Sequence, residues 1–305
     1  MEEFEKPGSF AKFGFVIIRG LLSPQEVEKL REFIQEKIPL HGQKKCMSSY
    51  DTYQYSELYL LQFEERAVNM LKQVLGENLC YYPDLHVQHN MFGYPWGWHT
   101  DANSEGYAKY LQDPDYKMAK CGIYLQNNTV EWGGGIELLP KGHKLSVMTG
   151  VPRIDLKIRR FLDFCSTKFS FPIKPLRVDT KAGDMLIFDT RLLHASTLPQ
   201  KIDELKRVPG DNQFLGIPRE HEKIVVYWDA SNSKMKKDFL EHAVKRAEIE
   251  ESGSALFFSS WTRNYFPDDF SEDFIARAKK RGVEIGCGGK QKCREIRLQF
   301  EKKMN

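Results

Sequence analysis

The sequence lacks the features that would place it in a membrane, outside the cell or on nucleic acid. Its 305 residues contain no apolar run of bilayer length, and the longest runs are as short as residues 255–258. Residues 1–6 are acidic and lack the basic and apolar regions of a signal peptide. The 45 basic and 42 acidic residues leave a formal net charge of +3, so no strongly basic surface for nucleic acid is expected. We therefore expect a soluble protein that acts on a small molecule.

The six cysteines are scattered, and the sequence contains no C-x-x-C pair and no disulfide framework spacing. They are Cys46, Cys80, Cys121, Cys165, Cys287 and Cys293. Such cysteines are typical of reduced thiols in the cytoplasm, with a Cys287–Cys293 bridge as a minor alternative.

Internal repeats, low-complexity tracts and Pro/Gly/Ser linkers are also missing. This favours one catalytic domain over residues 1–305. We expect it to comprise a strand and helix region (1–80), a β core (81–230) and a C-terminal helical region (231–305).

Helical periodicity with start and stop signals predicts helices over 24–37, about 64–75, 235–249 and 271–281. The first is the clearest, because Ser23 and Glu26 have capping-box spacing and Pro24 occupies the first helical position. The others have Gly76 or Gly282 as stops, or an apolar stripe that begins at Met235.

Short β-rich runs separated by Gly, Pro and Asn-Asp dominate from about residue 80. The predicted strands are 85–92, 121–126, 135–139, 176–179, 184–189 and 223–228, with an earlier strand over 13–18. This spacing without long intervening helices predicts a mainly β protein with flanking helices, a double-stranded β-helix or sandwich.

Trp98-His99-Thr100-Asp101 is the sharpest local motif. Residues two apart on a strand point to the same side, so His99 and Asp101 can offer an imidazole nitrogen and a carboxylate oxygen to one metal ion. The best candidate for a third ligand is His194, which follows the β-rich run 184–189. Two imidazoles and one carboxylate leave three coordination positions open, as in iron(II) oxygenases.

The residues alone leave other metal sites open. An H-x-D tripeptide is common by chance, and a later lone histidine is more often a surface or capped core residue. His86, His89 and His143 are rivals, and a site built from them would favour zinc with a hydrolytic or structural role.

With these residues in view, the chain resembles the phytanoyl-CoA dioxygenase family of 2-oxoglutarate oxygenases. Four segments carry the resemblance in the family's order: residues 13–16 leading into 20–27, then 98–101, 134–144 and 182–196. The third resembles a glycine strand followed by a Pro-Gly-Ser-His-Lys turn, with Gly142 in place of the serine. The resemblance assigns His143 to that turn, away from the metal.

The resemblance implies a double-stranded β-helix (jelly-roll, cupin-like) core, iron(II), 2-oxoglutarate as co-substrate and dioxygen. It also implies a basic residue that pairs with the distal carboxylate of 2-oxoglutarate, usually an arginine about ten residues after the last histidine. Here residues 200–222 form an insertion at that place. Lys223, which opens the next strand, is our first choice, with Arg219 and Arg207 as alternatives. Ser196 and Gln88 are weaker candidates for further contacts with the co-substrate.

The implied reaction is hydroxylation of a small molecule with release of succinate and carbon dioxide. Because Asp101 keeps the acidic ligand that halogenases of this type give up, hydroxylation or desaturation is favoured over halogenation. The polar segments 102–118 and 200–222 are candidate lids. Aromatic residues before the triad are candidate pocket residues: Tyr81, Tyr82, Phe92, Tyr94, Trp96 and Trp98.

Two rival hypotheses remain. One is a cupin-like metal enzyme that does not use 2-oxoglutarate, and the other is a β-helix binding module without activity.

Overall fold

The structure is a computed structural model. It describes residues 2–38, 46–82, 84–90, 98–101, 115–144, 153–154, 174–200, 204–207, 214–235, 267, 270–286, 295 and 298. The predicted helix 235–249 lies outside these residues apart from Met235, as do Cys287 and Cys293.

The described ranges contain six α-helices and fifteen strands with defined bounds, and residues 142–144 are also helical. The helices are α1 (Gly8–Phe13), α2 (Pro24–Lys37), α3 (Ser49–Thr52), α4 (Ser56–Tyr59), α5 (Glu65–Leu75) and α6 (Glu272–Arg281). The strands are β1 (Phe15–Ile18), β2 (Cys46–Met47), β3 (Leu79–Tyr81), β4 (His86–His89), β5 (Trp98–His99), β6 (Met118–Tyr124), β7 (Ile136–Leu138), β8 (Arg153–Ile154), β9 (Leu176–Arg177), β10 (Met185–Asp189), β11 (His194–Ser196), β12 (Lys206–Arg207), β13 (Phe214–Leu215), β14 (Ile224–Asn232) and β15 (Glu284–Ile285). Short 3-10 turns cover Glu2–Glu5, Leu60–Phe63, Arg219–His221 and Ser233–Met235.

Two sheets make up the core, and in both most neighbouring strands are not consecutive in the chain. The larger has eight strands, with the path β1-β10-β6-β14-β3-β15, while β4 pairs with β14 and β2 pairs with β4. The smaller has five strands in the order β8-β5-β11-β7-β9. The predicted mainly β fold with flanking helices is confirmed, and its core is a double-stranded β-helix whose two sheets do not close into a barrel.

Apolar side chains from both sheets meet in the space between them. Tyr124 and Val225 of the larger sheet and Ile136 and Leu138 of the smaller belong to one buried cluster. The opposite face of the larger sheet packs against the helices through a second, larger cluster. Alternate residues of one strand therefore serve two different cores.

Helix α2 begins and ends as its sequence predicts. The Ser23 side chain and the Glu26 backbone are joined in a capping box, and the Glu26 carboxylate accepts the Ser23 backbone N–H at 2.7 Å. Val27, Leu30 and Ile34 are buried on its inner face. The helices predicted at about 64–75 and 271–281 are also confirmed as α5 and α6.

The start of the predicted strand 13–18 is wrong, because Phe13 ends helix α1. Gly14 closes that helix with φ of +92°, and its backbone N–H donates to Phe10 O. The strand then begins at Phe15 and is buried on both faces. A strand that is buried on both faces lacks the alternation of apolar and polar residues that marks a half-exposed strand. The sequence pattern therefore does not show where this strand begins.

Candidate metal centre

His99, Asp101 and His194 converge in the structure. One ligand atom from each lies within 4.8 Å of the others. The Asp101 Oδ1 atom is 3.6 Å from His194 Nε2 and 3.9 Å from His99 Nε2. The three side chains thus offer two imidazole nitrogens and a carboxylate oxygen to one point.

The two histidines are brought together by direct strand pairing. His194 in β11 is opposite His99 in β5, and Leu138 in β7 is on its other side. Since Leu138 points into the space between the sheets, the paired histidines face the same space. The sequence predicts Asp101 on the strand as well, but β5 ends at His99 and Asp101 lies two residues beyond it.

His194 is buried and neutral. Burial, with the neighbouring His99, lowers the pKa of His194 to about 4. Its Nδ1 donates to Leu192 O at 2.9 Å, which leaves the Nε2 lone pair directed towards Asp101. A backbone acceptor on the far nitrogen fixes both ring orientation and tautomer in the way common for metal-bound histidines.

Asp101 is an ionised carboxylate at the partly exposed side of the group. Burial pushes the pKa of Asp101 upward, but His194, Lys120 and His99 outweigh it and leave the pKa below its ordinary value. The side chains of His99 and Asp101 are 38% and 27% exposed, against 8% for His194. The group is therefore open on one side and closed on the other.

The three rival histidines have other surroundings. His86 lies beside Asp84, with its Nδ1 3.1 Å from Asp84 O. His89 faces Glu222. His143 packs against Gly14, where a β-carbon would come within 2.5 Å of its Nδ1. His143 thus lies in a helical segment directly after the turn at Lys141 and packs beside the residue that precedes β1.

Lys223, the first-choice co-substrate residue, lies on the same inner side as the triad. It directly precedes β14 and is 2% exposed. Its Nζ donates to Ser196 Oγ at 3.4 Å, and Ser196 is two residues from His194 on β11. Burial lowers the pKa of Lys223 to about 7. A buried cation beside a hydroxyl donor is suited to receive a carboxylate.

The other predicted co-substrate residues differ in position. Gln88 in β4 is opposite Val225 in β14. It therefore lies on the inner face of the larger sheet, as does Tyr227. Arg219 is exposed, and its Nε donates to Gln35 on helix α2 at 2.9 Å. Arg207 is in β12, paired with Phe214. The structure thus brings Lys223 and Ser196 together and places Arg219 on the helix side of the larger sheet.

A buried ion-pair cluster beside the triad was missed by the sequence analysis. Lys120 Nζ lies 3.0 Å from Asp84 Oδ2 and 2.8 Å from Asp229 Oδ1. The charge of Lys120 lowers the pKa of Asp101 and that of Asp84 raises it, so the cluster acts electrostatically on a candidate metal ligand. Single charged residues inside otherwise apolar strands, as in β6 and β14, are the signal that could have identified it.

Two tyrosines cross the space between this cluster and Lys223. Their hydroxyls, on Tyr124 and Tyr227, are 3.5 Å apart. Gly122 makes room for the Tyr227 ring, because a β-carbon there would lie 2.7 Å from that ring. Burial raises the pKa of Tyr227 to about 12, so it presents a neutral hydroxyl.

Some of the predicted pocket and lid residues are elsewhere. Tyr81 packs in the helix-side core, and Trp98 packs on Leu139 and Leu193. Phe92, Tyr94 and Trp96 lie outside the described residues, as do 102–114, 201–203 and 208–213 of the two candidate lids.

Comparison with solved structures agrees with this fold. The chain is similar to the crystal structure of the epimerase SnoN in complex with Fe3+, alpha ketoglutarate and nogalamycin RO. The TM-score is 0.51 and the identity 12%, over 76% of this chain and 83% of that one. It is also similar to EctD from S. alaskensis with bound Fe, with a TM-score of 0.52 and 14% identity over 75% of this chain and 76% of that one. At these identities the likeness shows the fold.

Sequence comparison gives the family. No curated protein sequence matches the chain significantly. A family model described as phytanoyl-CoA dioxygenase (PhyH) matches residues 10–198, well over half of the chain and including all three triad residues. The chain therefore belongs to the phytanoyl-CoA dioxygenase family, and it is a non-haem iron enzyme that depends on 2-oxoglutarate and dioxygen.

Proposed function

We propose that this dioxygenase hydroxylates a small molecule at an iron(II) ion held by His99, Asp101 and His194. The observation that carries the proposal is the convergence of one ligand atom from each residue within 4.8 Å. His99 and His194 are opposite each other in paired strands. Asp101 lies two residues beyond the end of β5.

The donor set fits iron(II). Two imidazoles and one carboxylate on one side leave open positions for a bidentate co-substrate and dioxygen. Ligands must be deprotonated to bind, and the pKa of about 4 keeps His194 neutral at physiological pH. The lowered pKa of Asp101 keeps its carboxylate charged.

We assign Lys223 as the residue that binds the distal carboxylate of 2-oxoglutarate, with Ser196 as a second donor. An ammonium and a hydroxyl that lie side by side can both donate to one carboxylate. Gln88, Arg219 and Arg207 remain alternatives for co-substrate contacts. The position of Lys223, buried and 3.4 Å from Ser196 Oγ, favours it over Arg219, which is exposed and donates to Gln35 of α2.

Iron(II), 2-oxoglutarate and dioxygen, when bound, supply the oxidising chemistry, in which 2-oxoglutarate becomes succinate and carbon dioxide. The chain's own residues hold and orient these groups and limit the entry of water. Retention of the Asp101 carboxylate leaves no vacancy for a halide at that position, which favours hydroxylation or desaturation over halogenation.

The described residues include no helix long and apolar enough to cross a membrane. The near-even charge and scattered cysteines favour the cytoplasm as the compartment and a small molecule, neither nucleic acid nor membrane, as the substrate.

The test is anaerobic titration of the iron(II)-loaded protein with 2-oxoglutarate. We expect the visible charge-transfer band of the chelate, and in air the conversion of 2-oxoglutarate to succinate. Bound iron without the band would favour the cupin-like alternative, and the band without succinate would favour an inactive binding module. A mass-spectrometric metabolite screen for a gain of one oxygen that depends on 2-oxoglutarate would then identify the substrate.

A further inference from the structure

The backbone of Lys223 is held by a reciprocal pair of hydrogen bonds to one residue. The Lys223 N–H donates to Asn90 Oδ1 at 2.7 Å, and the Asn90 N–H donates to Lys223 O at 2.7 Å. Asn90 is fully buried and has a φ of +50°, a conformation that asparagine tolerates better than most residues. Both peptide groups of Lys223 are thereby fixed to the end of β4.

The preceding residue, Glu222, is held from the helix side. Its Oε2 lies 2.9 Å from His89 Nε2 and accepts from Gln35 Nε2 at 2.6 Å. His89 Nδ1 in turn donates to Ile38 O at 2.7 Å. The Glu222 side chain is 7% exposed, so this is a buried contact between the strand, β4 and the α2 region.

Two more side chains complete the arrangement. Arg31 of α2 donates to Glu222 O at 3.1 Å and to Leu125 O at 2.9 Å. Gln126 accepts the Ile224 N–H at 2.7 Å. Three consecutive residues, 222–224, are thus each tied by a side chain from another part of the chain.

This arrangement answers a difficulty with lysine as a co-substrate anchor. A lysine is a point charge on a flexible stem, without the planar fork by which arginine orients a carboxylate. The placement of the Lys223 ammonium must therefore come from the placement of its backbone. The hydrogen bonds at the end of β4 and the start of β14 fix the backbone of Lys223. Lys223 directly follows the long segment 200–222.

We propose that Asn90 and Glu222 are positioning residues for 2-oxoglutarate, acting through Lys223. This inference rests on the proposed role of Lys223. The two residues hold the Lys223 backbone so that its ammonium reaches the distal carboxylate. They have no part in binding iron or in the oxidation itself.

Asn90→Gly and Glu222→Ala are the variants that test this. Glycine keeps the positive φ and removes only the side-chain amide. We expect each change to raise the Kd and KM for 2-oxoglutarate about 10-fold, the factor that corresponds to one net hydrogen bond. We expect kcat at saturating 2-oxoglutarate, and the affinity for iron(II), to stay within about twofold. The Kd is measured from the anaerobic iron(II)–2-oxoglutarate band, and KM and kcat from succinate release.

Two controls sharpen the test. Glu222→Gln keeps an acceptor oxygen for Gln35 and an amide that can hydrogen-bond His89, so it should restore most of the affinity lost in Glu222→Ala. Glu220→Ala removes an exposed carboxylate two residues away and should leave the Kd unchanged.

The decisive experiment is the double variant with Lys223→Ala. If Asn90 and Glu222 act through Lys223, their removal has no further effect once Lys223 is alanine. An equal further loss in that background, or a parallel fall of kcat and iron affinity, would overturn the inference. If Lys223→Ala alone leaves the Kd unchanged, the proposed anchor fails. If Lys223→Ala weakens binding but Asn90→Gly and Glu222→Ala do not, only the positioning inference fails.

Discussion

His99 and His194 are directly opposite each other in neighbouring antiparallel strands, with ring centroids 4.4 Å apart. A strand pair fixes the separation of facing side chains, so the two imidazoles are placed before any metal binds. Asp101 follows β5 by two residues and adds its carboxylate from the same stretch. The three side chains therefore need to move little when a metal ion binds.

Removal of one imidazole is expected to abolish iron binding. In His99→Ala, only Asp101 and His194 remain of the proposed ligand set. Because the loss of an outer partner of a ligand already costs roughly 10–100-fold, we expect succinate release to fall more than about 100-fold. The anaerobic 2-oxoglutarate band is the matching binding measurement.

His221→Ala is the matched control. His221 is only partly buried, stacks on Trp132 and is not one of the three converging ligands. It should keep both the band and the turnover. Full turnover by His99→Ala would refute the assignment of the triad.

The affinity for 2-oxoglutarate should fall as pH rises above 7. Burial lowers the pKa of Lys223 from 10.5 to about 7, so the free enzyme loses the anchoring charge as pH rises through that value. If the charged form binds, the Kd should increase by up to about 10-fold per pH unit. It should level off at the Kd of Lys223→Ala. Anaerobic titrations at pH 6.5, about 7.5 and about 8.5 measure this rise.

Lys223→Arg provides the comparison, since arginine stays charged throughout this range. Its Kd should be nearly constant between about pH 7 and pH 9, whatever its absolute value. A wild-type Kd that is flat over the same range would contradict the titration of Lys223.

The local parts of this structure were predictable from the sequence. The capping box and the apolar stripe place α2, and Ser271 and Gly282 bracket α6. The H-x-D motif placed two candidate ligands together because their spacing is local. His194 needed the ordered family motifs, since nothing in its own neighbourhood says that it pairs with His99.

Contacts between distant parts of the chain could not be predicted. The pairing of Lys120 with Asp84 and Asp229 depends on the order β6-β14-β4, which no local pattern encodes. The same is true of Asn90, whose partner Lys223 lies beyond the long insertion. Strand bounds failed where strands are short or buried on both faces, as at Phe13.

The ion-pair cluster yields a stability prediction. Lys120→Met would leave Asp84 and Asp229 buried without their shared cation. Breaking such a pair from one side typically costs about 3–5 kcal/mol, and we expect a loss of that order in the free energy of unfolding from urea titration.

Asp229→Asn should be milder. Burial raises the pKa of Asp229 well above its ordinary value, so its carboxyl already favours the neutral form that asparagine imitates. The pKa of Asp84 is held well below its ordinary value; burial opposes this, and Lys120 is the main cause. Equal destabilisation by Lys120→Met and Asp229→Asn would contradict this division of charge.

Gly183→Ala tests the turn that leads into β10 and hence towards His194. Gly183 has a φ of +91°, and a β-carbon there would lie 2.5 Å from Leu22 O. The left-handed conformation alone costs an alanine about 1–2 kcal/mol, and the backbone oxygen must also move. We therefore expect the free energy of unfolding to fall by at least about 2 kcal/mol.

Gly8→Ala is the control, because a β-carbon at Gly8 meets nothing within 4 Å and alanine is the better helix former. Gly8→Ala should be neutral or slightly stabilising. Equal melting temperatures for the two variants would contradict the strain expected for alanine at position 183.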